Sequence, residues 1–284
     1  TYDEKRYFIE MTGFIIPKAD KYLVAVLNSK LVKFYFSYLS AQIRGDYYRF
    51  KNIYVNYIPI HPIDFSNHSE KSVYDELVIL VDRMLSLNKK LSEIRADFQH
   101  YLNLRPHSMA PLRNFMDALP VGDKEVLKDH KGKHVSTVDA EKFQAFDILE
   151  EGEWLVFVVG YSYTSGKGKP LSSSNVRALR LRIPDNSMRK FILYSLKDTA
   201  LGKLGSGNIL DQLQKLKIPR LVTNGEENRR AVEELMAPFL AEVAKKEALE
   251  REIKETDDAI DKKVYALYGL TDDEIKIIEE QCKK

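Results

Sequence analysis

The chain has 284 residues, 30% of them charged, and its 44 Lys and Arg nearly balance 42 Asp and Glu, for a formal net charge of +2. A mean hydropathy of −0.35, with no apolar run near the roughly 20 residues of a membrane span, excludes a helical membrane protein. A single cysteine, Cys282, excludes an intrachain disulfide framework and any multi-cysteine zinc site, so a reducing, cytoplasmic setting is expected.

From the N-terminus, Leu23–Phe36 reads as an apolar helix, followed by Arg44-Gly45-Asp46-Tyr47-Tyr48-Arg49-Phe50-Lys51-Asn52 and a β-like run, Tyr54–Ile58, ending in Pro59. Residues 18–57 carry seven Lys or Arg against Asp20 and Asp46. Guanidinium groups fork onto phosphates and guanine edges, and tyrosines supply stacking and hydroxyl contacts. Arg44, Tyr47, Tyr48, Arg49, Lys51 and Asn52 are therefore candidate DNA contacts. An aromatic strand pair with solvated cations on its outer face accounts for the same residues.

Val73, Leu77, Leu80, Met84, Leu87, Leu91, Ile94, Phe98 and Tyr101 are spaced by alternating fours and threes, a coiled-coil seam. The spacing predicts one helix on the order of 42 Å long, capped by Ser69 or Ser72 and ended by Pro106.

Residues 104–222 read as a compact α+β unit. Trp154–Val159 and Ala178–Ile183 are strand candidates, and Thr164–Ser174 is a Gly/Ser loop between them. Residues 164–182 carry five cations and no acid, which makes Lys167, Lys169, Arg177, Arg180 and Arg182 a second candidate DNA-contact set. Alternation puts Arg180 and Arg182 on one face, and a plain exposed strand face explains them equally. His130 and His134, beside Asp129, have i, i+4 spacing but no recognisable third ligand, so a polar loop is the simpler reading and no metal site is expected. No phosphate-binding loop, nucleophile elbow, Asn-Pro-Pro-aromatic site or nuclease core is present, and no catalytic residue is assigned.

The order of elements then repeats: Phe191–Leu196, the glycine loop Gly202–Asn208, Leu216–Ile218 ending in Pro219, and a long helix after Glu226. Val232, Met236, Phe239, Val243, Ile253, Ile260, Val264 and Leu267 keep a heptad seam, although Lys246, Glu250 and Asp257 fall on it and Pro238 interrupts it. Gly269 is the expected C-cap, and Thr271-Asp272-Asp273-Glu274 starts a final helix. This tail is acidic, with seventeen Asp or Glu against eleven Lys or Arg over residues 223–284. The two heptad helices are expected to pair antiparallel.

Leu23–Leu31, Arg44-Gly45, Tyr48–Lys51 and Tyr57–Ile60 resemble the TaqI-like C-terminal specificity domain of restriction-modification methylases. Asp257–Ile278 resembles the ending of fused type IIG enzymes, and Leu213–Pro219 is similar to target-recognition domains of type I specificity subunits. The resemblance implies an α+β chain of target-recognition-type modules on long antiparallel coiled-coil spacer helices. The expected division is 1–69, the C-terminal part of a first module; 70–104, a spacer helix; 105–222, a second module; and 223–284, a second spacer helix and helical tail. The chain opens at Thr1, and the first copy lacks the β-rich block that precedes the second, so a piece of a longer protein is expected. The implied partners are double-stranded DNA and an upstream methyltransferase or nuclease, with no membrane. S-adenosylmethionine and magnesium are expected only in those upstream domains, and no cofactor here. A coiled-coil scaffold without DNA readout, and a metal enzyme around His130 and His134, are the rival classes.

Overall fold

The structure, a computed structural model, describes residues 16, 20–40, 42–43, 47–48, 51–103, 108–164, 168–198, 200–222 and 225–282. Helix accounts for 56% of these described residues and strand for 21%, an α+β arrangement. The N-terminal part contains α1 (Lys21–Asn28), α2 (Lys30–Leu39), β1 (Gln42–Ile43), β2 (Tyr47–Tyr48), α3 (Asn52–Val55) and α4 (His68–Glu93). Then come α5 (Phe98–Asn103), β3 (Ser108–Pro111), α6 (Leu112–Asp117), β4 (Lys124–Val126), β5 (Asp139–Ala140), β6 (Lys142–Glu151), β7 (Trp154–Thr164) and β8 (Pro170–Arg182). The chain continues through α7 (Asn186–Leu196), β9 (Gly207–Asn208), α8 (Ile209–Lys215), β10 (Lys217–Arg220), α9 (Gly225–Leu267) and α10 (Asp272–Cys282). Two compact units form: residues 1–95 with 244–284, and residues 96–243.

In the first unit, Asp20 caps α1 by accepting the Tyr22 N–H at 2.9 Å. Tyr22, Ala25, Val26 and Val32 pack with Leu77 and Val81 of α4 and with Ile260 and Val264 of α9 in one apolar cluster. The ion pairs Glu76 with Lys263, and Arg83 with Glu252 at 3.3 Å, order α4 antiparallel to this part of α9. Val81 lies off the heptad seam yet is buried, because α1 also packs along α4 and widens the covered stripe. The cap of α4 is Asn67, which accepts the Ser69 N–H at 3.0 Å, rather than Ser69 or Ser72. Tyr54–Ile58 is not β-like: α3 covers its start and a turn follows, with Tyr57 N–H donating to the Tyr54 carbonyl at 3.1 Å.

The long seam does not form one helix. α4 ends at Glu93 with Ile94 extended, and Asp97 restarts the chain by accepting the Gln99 N–H at 3.0 Å. The reason is that the two ends of the seam serve different cores. Phe98 and Leu102 are buried in the second unit with Phe191, Val232, Met236 and Phe239.

α9 runs through Pro238 without ending. Its end is a Schellman motif: Gly269, at φ +66°, donates to the Ala266 carbonyl at 3.1 Å and Leu270 donates to the Tyr265 carbonyl at 3.1 Å. Thr271 and Glu274 then form a reciprocal capping box at the start of α10.

The second unit is built on an antiparallel sheet of order β4-β8-β7-β6. Leu155, Phe157, Leu179 and Leu181 from its central strands pack with Ile192 and Leu196 of α7 and Ile209 and Leu213 of α8. The described residues of Thr164–Ser174 are mostly strand: β7 reaches Thr164, and β8 starts at Pro170 with Leu171 half-buried between exposed neighbours. Pro219 sits in β10, a strand that among the described residues pairs with β3 alone, so its missing N–H removes no central ladder bond.

Leu77 is fully buried while Ile79, on the same helix, is 66% exposed. Leu77→Ala is expected to cost about 2–5 kcal/mol and Ile79→Ala less than about 0.5 kcal/mol, measured by denaturant unfolding.

Candidate nucleic-acid interface

The first candidate segment leaves a helix pair whose break is set by one residue. Ser29 ends α1 by donating its hydroxyl to the Val26 carbonyl at 2.7 Å, and starts α2 by accepting the Val32 N–H at 3.3 Å. It is 1% exposed. The next residue, Lys30, donates its backbone N–H to Asp261 Oδ1 at 2.8 Å, and its ammonium reaches Asp261 Oδ2 at 2.8 Å and Asp258 Oδ1 at 2.9 Å. Burial works to lower the Lys30 ammonium, but its bonds to Asp261 and Asp258 outweigh that and push it well above its ordinary value. Asp258, held by the Lys254 and Lys30 ammonium groups, lies below the usual carboxylate range.

The segment re-enters the unit at Ile58-Pro59. The Tyr268 hydroxyl donates to the Pro59 carbonyl at 2.7 Å and accepts the His61 N–H at 3.1 Å. The Tyr22 hydroxyl donates to the His61 carbonyl at 2.7 Å. Both ends of the candidate segment are therefore fastened to the C-terminal stretch. The Asn-Ser-Lys-Leu block meets the Asp257–Asp261 stretch, and the Ile-Pro ending meets Tyr268 of the Tyr-Gly-Leu-Thr tail.

Between these anchors, β1 and β2 pair antiparallel with Gln42 opposite Tyr48 and Ile43 opposite Tyr47. Tyr47 and Tyr48 thus form the second strand of a hairpin, and Asn52 opens α3. Arg44 and Arg49 lie outside the described residues. Lys51 is exposed, and beside it Ile53 and Tyr57 are 60% and 70% exposed. An apolar and an aromatic side chain left in water next to a cation make a surface with unused stacking area.

The second candidate set is differently placed. Lys167 lies outside the described residues, and Lys169 is exposed in the turn before β8. The three β8 arginines are held by acids. Arg177 pairs with Glu151 at 2.5 Å, and Arg180 grips both oxygens of Glu125 at 2.7 and 2.8 Å. Arg182 pairs with Glu153 at 2.8 Å and Asp123 at 3.6 Å. Arg180 and Glu125 are direct cross-strand partners, and the guanidinium also lies over the Trp154 ring at 4.5 Å. The Arg180 bond holds Glu125 below the usual carboxylate range. These acids lie on β4, at the end of β6 and at Asp123 and Glu153 beside the strands, so charge counting within residues 164–182 misses all of them. A phosphate approaching this face meets arginines whose charge is already matched by carboxylates.

Sequence reasoning also missed Asp261 and Tyr268 as anchors. Nothing in the sequence separates Asp261 from the other acids of its helix, because its 2% exposure arises only on folding. His130 Nε2 donates to the Ser174 carbonyl at 3.0 Å, and among the described residues no group of three or more His, Cys, Asp or Glu is placed to hold a metal. Among the described residues, no helix is long and apolar enough to cross a membrane.

Residues 1–60 match the family described as TaqI-like C-terminal specificity domain. No curated protein and no solved structure matches the chain.

Removing one member of a buried ion pair leaves the other uncompensated. Asp261→Ala is expected to destabilise the first unit by about 3–5 kcal/mol in denaturant unfolding. Because Asp258 is depressed in the folded state, its contribution is present above the ordinary carboxylate range and lost as pH falls through the folded value. The melting midpoint is expected to stay flat from pH 7 to about 5 and to fall below about pH 4, with a shallower fall in Asp258→Asn.

Proposed function

We propose that this chain is the DNA sequence-recognition part of a restriction-modification enzyme. The match of residues 1–60 to the TaqI-like specificity family carries the reading. The anchoring of that region supports it: Lys30 with Asp261 and Asp258, and Tyr268 with Pro59, fix the two ends of a hairpin-bearing segment rich in tyrosine and cations. Fastening a segment at both ends lowers the conformational freedom it has to lose on meeting a partner. DNA contacts, to bases or to phosphates, are assigned to Arg44, Tyr47, Tyr48, Arg49, Lys51 and Asn52. The exposed Lys51 and Tyr57 support that assignment. Arg177, Arg180 and Arg182 then act as strand-bracing residues rather than as first contacts.

In this reading α4 and the C-terminal part of α9 serve as a paired coiled-coil spacer that positions an upstream methyltransferase or nuclease of the same cytoplasmic, type IIG-like enzyme. The antiparallel ion pairs Glu76 with Lys263 and Arg83 with Glu252 support the pairing. S-adenosylmethionine and magnesium belong to those upstream domains.

Selection from a pool of duplexes with randomised centres, using the purified chain, is expected to enrich one sequence motif. Recovery of unenriched sequence overturns the reading. Against the enriched duplex, Arg49→Ala is expected to lose about 1–3 kcal/mol of binding and to relax the motif at one position if it reads a base. Lys51→Ala, acting on phosphate, weakens all sequences alike. Unchanged binding in both variants removes this segment as the contact surface.

A further inference from the structure

Opposite in character to the acid-paired end of β8 is the other end of its hairpin with β7. Residues Leu127–Val135 close a small rigid turn beside it. Lys128 and His134 pair as an antiparallel bridge, and the Val135 N–H donates to the Leu127 carbonyl at 3.1 Å. Within it the Asp129 N–H donates to the Lys133 carbonyl at 2.7 Å, and Gly132 adopts φ +76°, a conformation costly for other residues. The turn's one acid, Asp129, faces its own backbone: Oδ1 accepts the Lys131 N–H at 2.8 Å and the Lys133 N–H at 2.9 Å. Lys128, His130, Lys131, Lys133 and His134 are all exposed.

The turn is joined to the hairpin end. His130 reaches the Ser174 carbonyl, and the Lys131 ammonium bonds the Tyr163 hydroxyl while lying 5.0 Å from that ring's centroid. The Tyr163 hydroxyl raises the Lys131 ammonium above its ordinary value, so it stays charged. Among the described residues, neither Lys128 nor Lys133 has an ion-pair partner. Exposed Lys169 and the hydroxyls of Ser172, Ser174 and Thr164 line the same hairpin end. At the start of β6, which pairs with β7 here, Lys142 and the adjacent Glu141 cancel one another.

We propose that the 127–135 turn, together with Thr164 at the end of β7 and Lys169, Ser172 and Ser174 at the start of β8, is a phosphate-contacting surface for duplex DNA. It rests on the reading of the chain as a DNA-recognition part and gives the second unit a sequence-independent role in it. Lysines around a rigid backbone, interleaved with Ser, Thr and Tyr hydroxyls, are the groups that contact phosphates. The turn offers no exposed large apolar anchor of the kind that dominates protein interfaces. Lys128, Lys131 and Lys133 are point charges suited to holding a backbone rather than reading bases.

The test is fluorescence anisotropy of the 284-residue chain with labelled duplexes of random sequence across a salt series. The triple variant Lys128→Ala, Lys131→Ala, Lys133→Ala is expected to bind at least about tenfold more weakly at low salt, equally for all sequences. Its log–log salt slope should be shallower by about 2–3, at about 0.9 per phosphate contact. The single variant Lys133→Gln, which spares the Tyr163 contact, should lower the slope by about one and serves if the triple variant fails to fold. A folded triple variant, or a folded Lys133→Gln, with unchanged slope and affinity overturns this inference and leaves the functional reading standing. A wild-type chain that binds no duplex at low salt overturns the functional reading and this inference together. Wild-type binding to polyglutamate as tight as to duplex, lost in the same triple variant, assigns the surface to an acidic protein and also overturns the inference.

Discussion

The buried meeting of Lys30 with Asp261 is the contact on which the first unit depends. Ser29 breaks one helix into two, and a helix start leaves backbone N–H groups unpaired. Asp261 takes the first of these from Lys30, while the Lys30 ammonium neutralises the same carboxylate and reaches Asp258. A carboxylate 2% exposed is tolerated only when paired and hydrogen-bonded, so this contact accepts one alignment of two segments 231 residues apart. The direction of α2, and with it the entry into the β1–β2 hairpin, follows from that alignment. Tyr268 fixes the exit in the same way, from the residue just past the end of α9.

The charge pattern illustrates what a linear reading can and cannot extract. Five cations without an acid over residues 164–182 promise a positive surface. Antiparallel pairing brings Glu125 opposite Arg180, and Glu151 and Glu153 come to Arg177 and Arg182 from the β6–β7 connection and its flanks. One end of β8 thereby loses its net positive charge. The other end joins a turn that carries Lys128, Lys131 and Lys133 around His130. Which cations keep an unmatched charge is set by the strand pairing, which a count within residues 164–182 does not contain.

The heptad seam shows the same limit for apolar residues. Its spacing reports correctly that Leu77 and Leu87 are buried, and Phe98 as well. It does not report that Phe98 belongs to a different core, because a hydrophobic period records that a face is covered and not by what. The turn at residues 94–97 lets Leu77 and Phe98 each face its own partners.

The sequence alone determined the elements governed by neighbours in the chain. Gly269 as a left-handed cap, Thr271 with Glu274 as a capping box and the β-branched strands of the hairpin all follow from interactions a few residues long, and the Asn-Ser-Lys-Leu and Ile-Pro blocks were enough to mark the family region at residues 1–60. Tertiary structure decided the rest: which acid each arginine meets, that Tyr54–Ile58 turns instead of extending, and that the family blocks serve as anchors. The physical reason is that burial and ion pairing depend on which distant segments come together, and the free energy of a charge is set by that surrounding rather than by its place in the chain.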